Sequence, residues 1–408
     1  MENLSERKEF TDKPYQTFGL FNDSFPPIMD GVALAVKNYA DWLYQAGYPV
    51  CVVTPNVPNY TDREPYPVYR YTSVPIPVRR PYRLGLPDLD ISIHDRYRKQ
   101  RFELVHAHCP FSSGIMALRT ARDQDVPFVA TFHTKYRDDF ERATHSRQLA
   151  NLMIKEVIWF YEKADEVWVP QAAVEETLRE YGYKGKVEIV ENGNDFATDQ
   201  ELAPIKREAR VNLGISPDEI VFLFVGQHVW EKNTRMIIKS LALIRDLPFK
   251  MFFVGTGYAA EEMKSLVAEL GLTDKVMFTG MLTDREQLKQ YYAASDLFIF
   301  PSIYDNAPLV VREAGALGTP TVMVSGSTAA EILTDNVNGF LIDNTPEALA
   351  ARLRELYSDR ERMKDVGLSA SKTIARSWKD IVNEEVLDRY MSLIKRKQKK
   401  NVASGITI

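Results

Sequence analysis

Short apolar runs alternate with longer mixed segments along almost the whole chain, and this rhythm restricts the folds open to it. It begins with QTFGLF, a helical stretch from Val32 to Gln45 and PVCVVTP, then continues through LVHAH, VPFVATFH, EVWVP and KVEIV. It restarts at IVFLFVG and runs on through FKMFFVG, KVMFTG, DLFIFPS and TPTVMV. Apolar runs of strand length separated by helix-length segments describe βαβ units, and therefore parallel sheets in an α/β fold. So many strands exceed the roughly ten that an open twisted sheet carries, so two doubly wound sheets fit better than one.

The break is expected between Asp195 and Arg207, where the sequence is polar, contains Pro204 and lacks a strand. This gives a first domain over residues 1–198 and a second over 205–375. In the last segment, 376–408, Trp378, Ile381, Val382, Val386, Leu387, Tyr390 and Leu393 fall at helical spacing with no strand of their own. A helix of this kind needs another surface to cover its stripe, and the expectation is that it crosses back to the first domain.

At 408 residues, 45% hydrophobic and 26% charged, the chain has the material for such cores, and wholesale disorder is excluded. The uncharged stretch over residues 314–330 is interrupted by Gly315, Gly318, Pro320 and Gly326 and cannot serve as a membrane-spanning helix. The opening MENLSERKEFTDK is charged where a signal peptide is apolar, and Cys51 and Cys109 are the only cysteines, so a cytosolic compartment is expected. A net charge of -5 opposes binding to nucleic acid. Locally, Arg79, Arg80, Arg83, Arg96, Arg98, Lys99 and Arg101 outweigh Asp88, Asp90 and Asp95 by four charges, and IKRKQKK adds five more near the end. A solvated face and a frayed tail are one reading; an anionic membrane surface is the other.

Ligands of parallel sheets sit beyond the carboxyl ends of strands, so chemistry is sought in the loops that follow them. After IVFLFVG comes QHVWEKN, where Gly226 lets backbone approach an anion and Lys232 lies near the next helix start. The same residues also describe an ordinary strand-to-helix junction with a solvated lysine. VGTGY, with Gly255 and Gly257, lacks the third glycine of a dinucleotide fingerprint and reads as a tight turn. FPSIYDNAPLVVREAGALGTP is the most informative segment. Asp305 and Asn306 can cap, Pro308 fits the first turn of a helix, and Asp305 and Glu313 flank its start with seven residues between them. Two carboxylates repel a phosphate but suit neutral hydroxyls as acceptors, although capping plus a surface charge is the plainer account.

VGQHVWEKN, VMFTG, ASDLFIFPS, the spaced carboxylates, EAGALGTP and NVNGFLI occur in the order found in retaining nucleotide-sugar glycosyltransferases with the GT-B fold. NDSFPPIMDGVA, AGYPVCVVTP, HAHCPFSSG, FHTKY and ENGNDF resemble the acceptor half of the same family, which includes sucrose synthases, phosphatidylinositol mannosyltransferases and diacylglycerol glucosyltransferases. The resemblance covers about residues 16–395. It implies two Rossmann-like domains facing a cleft, with the donor nucleotide in the second. By position, Glu313 matches the acid that holds the ribose and Asp305 the acid that contacts the donor sugar. Lys232 matches the lysine on the diphosphate, alongside Gly226, Gln227, Asn306 and the backbone at Leu309. Gly31 matches the glycine facing the same group from the first domain, and His133 a histidine beside the sugar. His106 and His108 read as strand-end hydrogen-bonding residues. Three positions depart from the family: Gln227 replaces an arginine, Asp305 a glutamate, and Asn306, Ala307 and Pro308 stand where Gly or Phe-Gly is frequent.

The implied reaction transfers a hexose from a UDP-glucose or GDP-mannose type of donor to a hydroxyl acceptor, with retention, without a metal and without a cofactor beyond the donor. DLD at 88–90 and DQD at 123–125 are not placed after a strand, where a metal-holding acidic pair would work. The acceptor motifs resemble those of the lipid-directed branch most, diacylglycerol glucosyltransferases among them, which implies a protein peripheral on the cytoplasmic membrane face. A soluble sugar or metabolite acceptor and a non-catalytic nucleotide-sugar-binding protein are the alternatives. A nicotinamide-dependent dehydrogenase is disfavoured because no GxGxxG follows the first strand.

Overall fold

The computed structural model describes residues 17–76, 81–91, 93 and 99–403. Its first sheet has seven strands: β1 (Thr17–Phe21), β2 (Val50–Pro55), β3 (Val68–Tyr71), β6 (Phe102–Ala107), β7 (Phe128–Thr131), β8 (Glu166–Val169) and β9 (Val187–Ile189). Their order is β3-β2-β1-β6-β7-β8-β9. A separate antiparallel pair joins β4 (Ser73–Pro75) to β5 (Arg83–Gly85). The second sheet holds β10 (Val221–Val225), β11 (Lys250–Val254), β12 (Val276–Gly280), β13 (Leu297–Ile299), β14 (Thr321–Val324) and β15 (Phe340–Ile342). Its order is β12-β11-β10-β13-β14-β15, and every neighbouring pair is parallel. That is the doubly wound order, with its reversal between β10 and β13. β10, β13 and β14 are buried at every position, as strands covered by helices on both faces must be, which is why they read as continuous apolar runs.

The chain divides into two compact units. One contains Met1–Thr131, Phe160–Val167 and Leu387–Ile408; the other contains Phe132–Trp159 and Trp168–Val386. Residues 132–159 and 168–198, expected with the first domain, are thus counted in the unit that contains the second sheet, although β9 and the end of β8 pair in the first sheet. The stretch expected as a linker is partly helical, since Pro204 lies in the first turn of the helix Leu202–Asn212. This helix is fastened to the second sheet where Lys206 Nζ and Arg210 Nη2 meet Asp296 at 2.7 and 2.6 Å.

The return of the chain to the first unit starts at Leu387, later than the expected 376. Trp378 lies against the backbone of Gly193, so closely that a Cβ there would come within 2.5 Å of the Trp378 nitrogen. Asn194 also donates from N and Nδ2 to the Arg376 carbonyl at 3.0 and 2.9 Å. Both contacts are within the second unit. Beyond a π-helical turn over Ile381–Val386, the helix Leu387–Ala403 packs in the first unit. Tyr390 there is fully buried, with its hydroxyl 2.6 Å from His106 Nδ1, and Asn401 donates to Asp125 at 2.7 Å. His106 Nε2 lies 2.7 Å from Thr131 Oγ1, so this histidine is a hydrogen-bonded core residue, as its strand-end position predicts.

Candidate active site

The reversal between β10 and β13 leaves a crevice beyond their carboxyl ends, and the loops after these two strands carry the residues singled out above. Gly226 ends β10 with φ +154°, a backbone that side-chain-bearing residues rarely adopt. The loop then runs against the one after β11. A Cβ on Gly255 would lie 2.0 Å from the Gly226 carbonyl oxygen, and one on Gly257 would lie 2.4 Å from that of His228. The glycines of VGTGY therefore serve this backbone-to-backbone approach, sealed by Gly226 N on Val254 O at 3.0 Å and His228 N on Thr256 O at 2.9 Å.

Lys232 ends a single turn, Trp230–Lys232, and Asn233 follows in the left-handed conformation at φ +61°. Asn233 Nδ2 donates to the Pro301 carbonyl at 3.2 Å, tying the β10 loop to the β13 loop. Lys232 Nζ crosses the same gap to Asp305 Oδ1 at 2.6 Å and sits 5.3 Å from the Phe300 ring centre. The other oxygen, Asp305 Oδ2, is buried without a hydrogen-bond donor. Asn306 is in the same condition: Nδ2 donates to the His133 carbonyl at 2.9 Å while Oδ1 is buried and unpaired. Buried acceptors are ordinarily satisfied, so two orphans on consecutive residues beside a lysine mark a place built for a partner.

Asp305 and Asn306 do not cap the next helix. Pro308 is its N-cap at φ -69° and no side chain caps Leu309–Ala316, so amides of its first turn keep their donors free of side-chain acceptors. Proline locks φ near that value in any case, which suits it to this entry position. On that helix Glu313 is 3% exposed, and both its oxygens have protein partners: Arg285 Nη2 at 2.7 Å and the Tyr292 hydroxyl at 2.8 Å. Arg285 also reaches Asp195 Oδ2 at 3.0 Å. Each carboxylate oxygen can accept a second bond, so a ribose hydroxyl would join this set without displacing it.

His133 follows β7 and is brought to Asn306 through its carbonyl. Burial pushes its imidazole down to about 4, which leaves it neutral at physiological pH. Gln227 is exposed and supplies no charge. A cation that the sequence reading missed lies in FHTKY: Lys135 Nζ donates to Thr328 Oγ1 at 2.8 Å, in the turn after β14. Burial lowers its pKa, while Asp138, Asp305 and Glu180 pull the other way. Gly31, in the other unit, opens the helix Gly31–Gln45 capped by Asp30, and nothing lies within 4 Å of where its Cβ would stand. The chain itself therefore places no demand for glycine at that point.

A second set of residues holds the loops from behind. Arg142 donates to Asp139 Oδ1 at 2.5 Å and to Glu231 Oε1 at 2.6 Å, and its guanidinium lies 5.2 Å from the Tyr304 ring centre. The Tyr304 hydroxyl donates to Asp139 at 2.7 Å and the Tyr258 hydroxyl to Glu231 at 2.5 Å. Burial opposes the Arg142 charge, but Asp139, Tyr304 and Glu231 outweigh it and raise its pKa. Glu231 and Tyr304 are the immediate predecessors of Lys232 and Asp305, so this network fixes both halves of the ion pair. Three of the DLD and DQD acids have structural partners: Asp88 pairs with Arg119, Asp90 accepts from Thr72 N at 2.8 Å, and Asp125 pairs with Lys397.

Residues 205–373 match the family described as Glycosyl transferases group 1, and residues 29–197 match Glycosyltransferase Family 4. The chain is 25% identical to an alpha-monoglucosyldiacylglycerol synthase of Streptococcus pneumoniae, over 83% of this chain and 78% of the relative. It is 30% identical to a D-inositol 3-phosphate glycosyltransferase of Kineococcus radiotolerans, over 68% of each. In fold it resembles the sucrose-phosphate synthase of Thermosynechococcus elongatus, with a TM-score of 0.76 and 20% identity across 93% of this chain and all of that one. With a doubly wound order in its second sheet, a last helix returned to the first unit and both halves matched in sequence, the chain belongs to the group 1 glycosyltransferases of the GT-B fold.

Proposed function

We propose that the chain is a retaining, metal-independent hexosyltransferase that takes a nucleotide diphosphate sugar of the UDP-glucose or GDP-mannose type. The observation that carries this reading is the pair of orphaned acceptors, Asp305 Oδ2 and Asn306 Oδ1, beside Lys232 on the two loops that flank the strand-order reversal. Sugar hydroxyls supply the missing donors, and Lys232 with the uncapped amides of Leu309 and Val310 meets the diphosphate. Glu313, with Gly226 and Gln227 on the facing loop, completes the nucleotide end. In the reaction the sugar C1–phosphate bond breaks and a C1–acceptor oxygen bond forms on the same face. The acceptor proton passes to an oxygen of the departing phosphate, so no protein nucleophile is needed. Lys232 and the helix amides stabilise the leaving charge, while neutral His133 contributes shape and a hydrogen bond beside the sugar.

The acceptor on this reading is a lipid hydroxyl such as that of diacylglycerol, and the protein works at the cytoplasmic membrane face without crossing it. The diacylglycerol-directed relative supports this. The inositol-phosphate-directed relative supports a second reading, a soluble polyol acceptor. A panel of UDP-, GDP- and ADP-sugars, screened for donor hydrolysis and thermal stabilisation with and without excess EDTA, tests the donor assignment. Stabilisation and turnover that survive EDTA are expected; full, reversible dependence on added magnesium or manganese would contradict it. Acceptor competition between diacylglycerol micelles and inositol phosphates separates the two acceptors.

A further inference from the structure

We propose that Asn306 is a specificity-determining residue that restricts the transferred group to an uncharged sugar with free hydroxyls. The inference rests on the donor-site reading above and narrows it.

Asn306 is 7% exposed and directly follows Asp305. Its Nδ2 donates to the His133 carbonyl at 2.9 Å. Reversing the amide would set two oxygens against each other at that distance, so the chemistry fixes which end is nitrogen. Oδ1 is thereby left as the free end, buried and unpaired, next in sequence to the equally unpaired Asp305 Oδ2. The site thus offers two acceptors and a single negative charge, already balanced by Lys232 on Oδ1 of Asp305. Aspartate at 306 would crowd a second carboxylate beside the first, and glycine would remove the acceptor. Hydroxyls satisfy both atoms. A carboxylate or sulfonate turned toward these atoms in place of a hydroxyl supplies acceptors only and carries the same sign of charge as Asp305, so it leaves them unpaired and is itself desolvated. A site built to accept from a hydroxyl rejects a group that cannot donate.

Titration calorimetry on the full chain with UDP, UDP-glucose and UDP-glucuronate, and with GDP and GDP-mannose, tests the inference. UDP-glucose is expected to bind at least about tenfold more tightly than UDP-glucuronate. In Asn306→Ala and Asn306→Asp the affinity for UDP-glucose relative to UDP should fall by about fivefold or more, with UDP affinity itself held within about twofold. Retained UDP binding shows that a variant is folded and the nucleotide end intact. Equal affinity for the two UDP-sugars in the unaltered chain would overturn the inference while leaving the donor site standing, as would an unchanged ratio in both variants. Failure of both UDP and GDP to bind the unaltered chain would overturn the donor-site reading itself, and this inference with it.

Discussion

The two acids of the segment after β13 differ in how their oxygens are occupied. Asp305 has one oxygen on Lys232 and one without a donor, so Asp305→Ala should lower kcat at least about tenfold, the loss of a hydrogen bond to a charged acceptor. Glu313 is engaged on both sides, and Glu313→Ala would strand the buried Tyr292 hydroxyl and leave Arg285 with Asp195 alone, at a cost of about 1–3 kcal/mol before any ligand is considered. The shape-preserving Glu313→Gln separates the roles: donor KM is expected to rise with kcat little changed. Steady-state kinetics with melting curves on the three variants reads both effects, and unchanged KM in Glu313→Gln would remove this residue from the ribose. The histidines give a pH prediction. Burial lowers His133 from 6.5 to about 4, and burial followed by Lys264 does the same to His228. Both are lower folded than unfolded, so their contribution is complete above pH 6.5 and drains as pH falls toward 4, where only the unfolded chain takes up the protons. His228 has an unpaired Nε2 among the rings of Phe224, Phe253 and Phe278. His228→Phe should therefore flatten the acid limb of melting temperature against pH; an unchanged limb would refute this account.

The loops after β10 and β13 are held by an element that the sequence did not advertise. Arg142, on the helix Tyr136–Thr144, joins Glu231 before Lys232 to Tyr304 before Asp305, across 89 and 162 residues of sequence. Arg142→Ala should remove this brace while leaving Lys232 and Asp305 in place. The expected result is a fall in kcat of about tenfold or more with a small change in melting temperature, because a half-exposed ion pair contributes only about 0–1 kcal/mol to folding. If stability fell and kcat per folded molecule did not, the network would be structural only. Legibility follows the same division between local and non-local. Lys232 was readable because a strand-ending glycine and a following helix lie within seven residues of each other in sequence, and all the strands of the second sheet were readable except β15 as apolar runs between helices. The capping assignment of Asp305 and Asn306 failed because a proline locks the entry geometry locally and releases both side chains to the site. Arg142 and Arg285 were invisible because their partners are set by packing, and an arginine in a mixed helix has no periodicity to betray it.

For the molecule as a whole, charge is the property that reaches furthest. The net charge of -5 repels an anionic bilayer, so attraction to one must be local. Among the described residues no helix is long and apolar enough to cross a membrane. The basic segment is where local attraction can arise, although Arg79, Arg80, Arg96 and Arg98 lie outside the described residues, as do Asp95 and Tyr97. The described part adds an apolar component: Leu84 is 50% exposed, Leu89 72% and Ile91 81%, three large side chains on one short stretch that the fold leaves uncovered. Arg83, next in sequence to Leu84, is fixed with its guanidinium on Ser73 Oγ at 2.7 Å. Exposed apolar residues next to several cations suit a lipid interface, where each well-placed cation contributes about 1 kcal/mol and the apolar side chains add burial. Flotation with anionic and neutral vesicles is expected to show binding to the anionic ones alone, weakened by salt. Changing Arg79, Arg80 and Arg83 to glutamate should abolish it, and Leu89→Ser with Ile91→Ser should weaken it without altering its salt dependence. Absence of binding to anionic vesicles at low salt, or binding indifferent to the charge reversals, would move the acceptor from the lipid surface to solution.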